Sequence, residues 1–144
     1  MNKEDKELLL RDLYGRLPYE VKVTTTNAAV KFGVISGISI ENKISVRTKR
    51  ADIVFNCTEV KPYLFPLSSM TEEQYNSLHE LGILDNCSHS YEYVNPHIHG
   101  VSFIFKGFKT YSLELIDWLN AHHFDYRGLI EKGLAKDATN LNIY

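Results

Sequence analysis

Within the first seventeen positions Leu9, Leu10, Leu13 and Leu17 recur three to four residues apart, with Tyr14 beside them. This helical spacing makes one apolar stripe and predicts a helix over Lys3–Leu17. Pro18 ends it, because the residue before a proline is pushed out of the helical region. From Glu20 the period drops to two. Val21, Val23 and Thr25 share one face of a strand over 20–26, and Val30, Phe32 and Val34 alternate in a second. Gly37 follows Ile35 and shifts the register, as a glycine at a strand bulge does, before Ile38 and Ile40 resume. Glu41-Asn42-Lys43 reads as a hairpin turn into Ile44, Val46 and Thr48. Lys49-Arg50 turns the chain again, toward Ile53 and Phe55. Short strands at this density predict a meander that curls into a small SH3-like barrel, or an open antiparallel sheet covered by helices.

Beyond residue 60 the pattern is more broken. Pro62 and Pro66 flank Tyr63-Leu64-Phe65, which predicts an edge strand or an extended crossover. Ser69 with Glu72, and Thr71 with Gln74, have capping-box spacing ahead of a helix from Glu72 to Leu81, with Gly82 as its C-cap. The stretch 85–100 mixes turn formers with aromatics and carries no single period. A strand over 101–105 follows, then an apolar helix capped by Thr110 or Ser112. Asp125 is placed to cap a last short helix through Leu134, and 137–144 reads as a frayed tail. The expected fold is α+β: an N-terminal helix, an antiparallel sheet or SH3-like barrel, and C-terminal helices packed on it. We expect a single domain over 1–144, with a helix to 17, a β-rich segment over 19–65 and mixed helices and a strand over 66–136.

The composition suits this reading. The chain has 144 residues, 44% hydrophobic and 24% charged, which is ordinary for a globular domain able to bury a core. No apolar run approaches a membrane span, and the acidic and basic start is unlike a secretory leader, so a cytoplasmic location is expected. Cys57 and Cys87 are the only cysteines. Thirty residues apart and without a CxxC, they read as buried small hydrophobes rather than a zinc knuckle.

Charge changes the picture more. The formal net charge of −2 hides a basic stretch over 21–65 and a run from Pro66 to Phe105 that holds five acids and no lysine or arginine. Such polarity can steer partners or serve a head-to-tail contact between copies. Lys43, Arg47, Lys49 and Arg50 gather at predicted hairpin turns, with Tyr63 and Phe65 as stacking faces. Single-strand-binding barrels use that combination of cations and aromatics. The alternative is that turns and edge strands carry such charges for solubility.

Evidence for catalysis is thin. His97 and His99 form an H-x-H pair whose imidazoles would share a strand face and reach one metal, with Glu92 as a further ligand. No HExxH frame supports it, and a pair of structural histidines explains the spacing equally well. His122 and His123 are adjacent and suit a helix C-terminus instead. Neither GxSxG, GxGxxG nor GxxxxGK[ST] occurs, so no nucleophile elbow and no nucleotide cofactor is expected.

Two stretches, VKPYLFPLSSMTEEQ (60–74) and DWLNAHHFDYRGLIEKGLA (117–135), resemble uncharacterised proteins carried by phages and mobile elements of gut Bacteroidetes. The resemblance implies a phage or prophage accessory protein. It implies no activity and no catalytic residues. The expected function is a non-catalytic interaction module that binds a protein or assembles with itself. A nucleic-acid-binding accessory protein is the second reading, and a small metal-dependent enzyme or ligand sink the third.

Overall fold

The computed structural model of the chain describes residues 1–27, 30–94 and 102–144. His97 and His99 lie outside the described residues. The fold is α+β, and it divides into two compact units. The first comprises Met1–Phe65 and Arg127–Tyr144, the second Pro66–Tyr126. Charge divides along the same line. The first unit has fourteen bases against ten acids, the second two bases against eight acids.

Helix α1 (Lys3–Arg16) opens the first unit. The Asn2 side chain caps it by accepting the Asp5 N–H at 2.7 Å, and Glu4 and Asp5 complement the dipole of the first turn. Leu9, Leu10 and Leu13 are buried, whereas Tyr14 faces outward. A meander follows: β1 (Lys22–Thr25), β2 (Phe32–Ile38), β3 (Lys43–Arg47) and β4 (Asp52–Asn56). With β5 (Val60–Pro66) the strand order is β4-β3-β2-β1-β5. Each of these neighbours is antiparallel. Among the described residues β4 pairs only with β3, so the sheet is open rather than a closed barrel.

Alternation sorts the two faces. Val23, Ile35, Ile44, Val46, Phe55, Val60 and Leu64 join the α1 leucines, Leu129 and Leu134 in one hydrophobic core. Burying each Leu or Val of this kind contributes about 1.5–3 kcal/mol. The β2–β3 register shifts between Ile35 and Gly37, as the glycine implied. Ser36 sits in that bulge and donates to Asp52 at 2.9 Å. Ile40 is not part of a strand; it lies almost fully exposed in the turn, where Asn42 takes φ 61°.

Three expectations change. First, β5 is not an edge of this unit, because β9 (Lys136–Asp137) runs parallel to it at Tyr63 and Leu64. Odd-numbered residues of β5 bond toward β1 and Leu64 bonds the other way, to Ala138. Pro62 therefore turns its missing N–H away from β1, at a level β9 does not pair. Second, residues 125–134 form no α-helix. Leu134 N–H bonds to Leu129 C=O and Gly133 N–H to Ile130 C=O, with Gly133 left-handed at φ 68°. That is a Schellman closure after a single turn. Third, the tail is anchored: Ala138 is buried and Tyr144 is bonded to two strands.

The second unit holds α2 (Glu72–Glu80), β6 (His89–Val94), β7 (Ser102–Phe108), α3 (Leu113–Ala121) and the short strand β8 (Phe124–Asp125). Of the two candidate caps for α2, Thr71 and Gln74 form the capping box, and Gly82 is left-handed at φ 68°. Ser112 caps α3 by accepting the Leu115 N–H at 3.2 Å. The aperiodic stretch after residue 85 contains β6, which pairs antiparallel with β7. No helix among the described residues is long and apolar enough to cross a membrane. Both cysteines are free and buried.

Candidate basic groove and aromatic cavity

The β3–β4 turn is built around Thr48. Its hydroxyl donates to Ala51 C=O at 2.8 Å and accepts the N–H groups of Arg50 and Ala51, each at 3.2 Å. This side-chain staple fixes the turn and presents Lys49 and Arg50. They border a groove of about 480 Å³ with Lys31, over an apolar floor that includes Phe32 and Ile53. Phe32 is 46% exposed, so its ring is available from solvent.

The residues singled out from sequence do not all meet here. Lys49 and Arg50 do. Arg47 pairs with Asp52 at 3.8 Å, the residue directly opposite it on β4. Lys43 lies at the other end of β3, four residues or roughly 13 Å from Arg47, and pairs with Glu41 at 3.8 Å. Among the described residues no carboxylate lies within ion-pair distance of Lys31, Lys49 or Arg50. Tyr63 approaches the groove through Phe32, with ring centroids 6.0 Å apart. Phe65 packs instead on Tyr144 at 5.8 Å. Lys31 and Phe32 were missed as site residues. Their signal was the cation-aromatic pair at the mouth of β2, which the alternation of Val30, Phe32 and Val34 disguised as ordinary strand.

The second unit carries a different cavity, of about 470 Å³, lined by Tyr75, Asp85, His89, Tyr91 and Tyr93 among others. His89 Nδ1 donates to Cys87 C=O at 3.1 Å, so in the neutral ring Nε2 accepts from the Tyr75 hydroxyl at 2.8 Å. Burial, and then the neighbouring Tyr91, raise the Tyr75 pKa. Tyr93 donates to Glu72 at 2.8 Å, and that bond is the main cause of its own raised pKa.

Metal chemistry gains no support from the rest of the described residues, where no group of three or more His, Cys, Asp and Glu could hold an ion. Glu92, proposed above as a ligand, pairs with Lys106 at 2.6 Å. His122 donates to Trp118 C=O at 2.8 Å and stacks on the Trp118 ring at 3.8 Å, a structural role at the end of α3. The chain matches no protein-family model, no curated protein and no solved structure.

Proposed function

We propose that the protein is a non-catalytic interaction module, a phage or prophage accessory protein, whose basic groove takes up an acidic segment of a partner protein. The observation that supports this is the meeting of Lys31, Lys49 and Arg50, with no carboxylate of the described residues within ion-pair distance, over the apolar floor at Phe32 and Ile53. An apolar side chain of the partner fills the floor while flanking Asp or Glu residues meet the three cations. The stapled Thr48 turn lowers the ordering cost of binding. Fluorescence anisotropy with a labelled peptide of Asp and Glu around one Phe tests the reading. Lys49→Ala with Arg50→Ala should weaken binding by up to about thirtyfold, since each exposed pair is worth up to roughly 1 kcal/mol. Unchanged affinity in that variant, or equal binding of a peptide with Ser for Phe, would sink the proposal.

A second reading, single-stranded nucleic acid, is favoured by one observation: the exposed Phe32 ring beside Tyr63, a stacking platform next to the same cations. A labelled oligothymidylate separates the two. Affinity that falls steeply with salt, together with no binding of the acidic peptide, would move the function to nucleic acid.

A further inference from the structure

The cavity of the second unit has the makings of an aromatic cage. Tyr91 and Tyr93 meet nearly at right angles, 84° with centroids 5.7 Å apart, and so form two walls of a corner. Tyr75 supplies a third ring, 4.9 Å from Tyr91. Phe103 braces the set from β7, at 5.6 Å from Tyr91 and 5.4 Å from Tyr75. Tyr91 and Tyr93 remain 44% and 52% exposed, so the corner is open to a ligand. Asp85 stands at the cavity wall, and the Glu72 carboxylate holds the Tyr93 hydroxyl, which enriches that ring in negative charge. No lysine or arginine is among the cavity's described lining residues, and Lys106 is held by Glu92.

We propose that the corner formed by Tyr75, Tyr91 and Tyr93 binds a quaternary or alkylated ammonium group, with Asp85 as its counter-charge. Ring faces attract such a cation through their quadrupoles, and its alkyl groups lose little hydration on entering an aromatic corner. A sugar would also stack on these rings and donate hydroxyls to Asp85, but it carries no charge for the ring faces to attract. The volume of about 470 Å³ admits the trimethylammonium head and the carbon chain that carries it. This site is independent of the basic groove, so either can fail without the other.

The test titrates the full chain with choline and with its uncharged isostere 3,3-dimethylbutanol, following the tyrosine ring resonances by NMR. Choline should bind saturably and the isostere on the order of tenfold more weakly. Tyr91→Ala and Asp85→Asn should each weaken choline by about five- to tenfold, while Tyr91→Phe keeps the ring and most of the affinity. These side chains are exposed, so the variants should fold, and far-UV circular dichroism confirms that they do. A peptide carrying trimethyl-lysine, run beside free choline, identifies the source: tighter binding of either supports the site and names which it serves. No saturable shift with either cation overturns the proposal, as does equal affinity for the isostere.

Discussion

The hydroxyl of Tyr144 accepts the backbone N–H of Lys22 at 3.0 Å and donates to Tyr63 C=O at 2.8 Å. Lys22 and Tyr63 are the next pair in the β1–β5 register, beyond Val23 and Pro62. The phenol therefore stands where a direct ladder bond would close, and it ties two strands through a residue 122 positions from Lys22. The Lys22 ammonium adds a bond to Ile143 C=O and lies 5.1 Å from the Tyr144 ring centre. Tyr144→Phe should leave the Lys22 N–H and Tyr63 C=O without this partner and cost about 1–3 kcal/mol. The urea midpoint measures it. An unchanged midpoint would mean that the strands close directly once the hydroxyl is gone.

The same bonds give a pH signature. Burial of its hydroxyl end raises the Tyr144 pKa from 10.0 to about 12, against smaller lowering effects of the Lys22 N–H and Arg16. The neutral phenol is thus favoured in the folded state. Its contribution is whole below pH 10 and is lost as pH rises through 12. The stability gap between the native protein and Tyr144→Phe should stay constant up to pH 10 and narrow above it. Because the residue is 39% exposed, solvent screening makes the narrowing shallower than a fully enclosed group would give.

Inside the first unit, Asp12 and Arg16 form a fully buried bidentate pair one helical turn apart, at 2.7 and 3.0 Å. Arg127 reaches the same carboxylate at 3.5 Å. Asp12→Ala should destabilise the protein by about 3–5 kcal/mol, because it removes the carboxylate that holds the buried Arg16 guanidinium at two points. Replacing both Asp12 and Arg16 with apolar residues should cost less than Asp12→Ala alone. Thermal unfolding of the two variants decides it.

Gly33 allows β2 to lie close to β3. A Cβ there would collide with Val46 Cγ1 and stand 2.7 Å from Arg47 C=O. Backbone cannot yield as a side-chain tip does, so Gly33→Ala should cost about 1–3 kcal/mol. It should also disturb amide resonances in β3 before those in α2.

At Thr71 the expected loss is local. Removing the hydroxyl in Thr71→Ala breaks the bond to Gln74 N–H, 3.2 Å long, and should cost about 1 kcal/mol. Faster hydrogen exchange in the first turn of α2, with β2 and β3 unaffected, would identify the effect as the cap.

Much of the fold was legible because its signals are local. The leucine stripe of α1, the alternation from Val21 to Phe55, the Gly37 bulge and the Thr71 cap each sit within a few residues of what they determine. What escaped was set by distance. The anchor of the tail is one hydroxyl bonded across 81 and 122 positions, and no periodicity in Leu141-Asn142-Ile143-Tyr144 announces it. In the groove, the Lys49-Arg50 turn was readable, but Lys31 and Phe32 were not. The alternation of Val30, Phe32 and Val34 marks that parity as the apolar one, yet Gly33 and Ile35 point inward and Phe32 outward. The Tyr75–His89 contact joins a readable helix to the one stretch that had no period.

The chain leaves the first unit at Phe65 and returns to it at Arg127. On a ribosome, the second unit is complete in sequence while the first still lacks Leu129, Leu134 and Ala135, three members of its core. The nascent meander must therefore wait, partly uncovered, for some sixty residues of another unit to emerge before it can close. Expression yield should thus depend on how well the nascent sheet is shielded during that interval, and substitutions that slow or misfold the inserted unit should appear first as aggregation of the sheet.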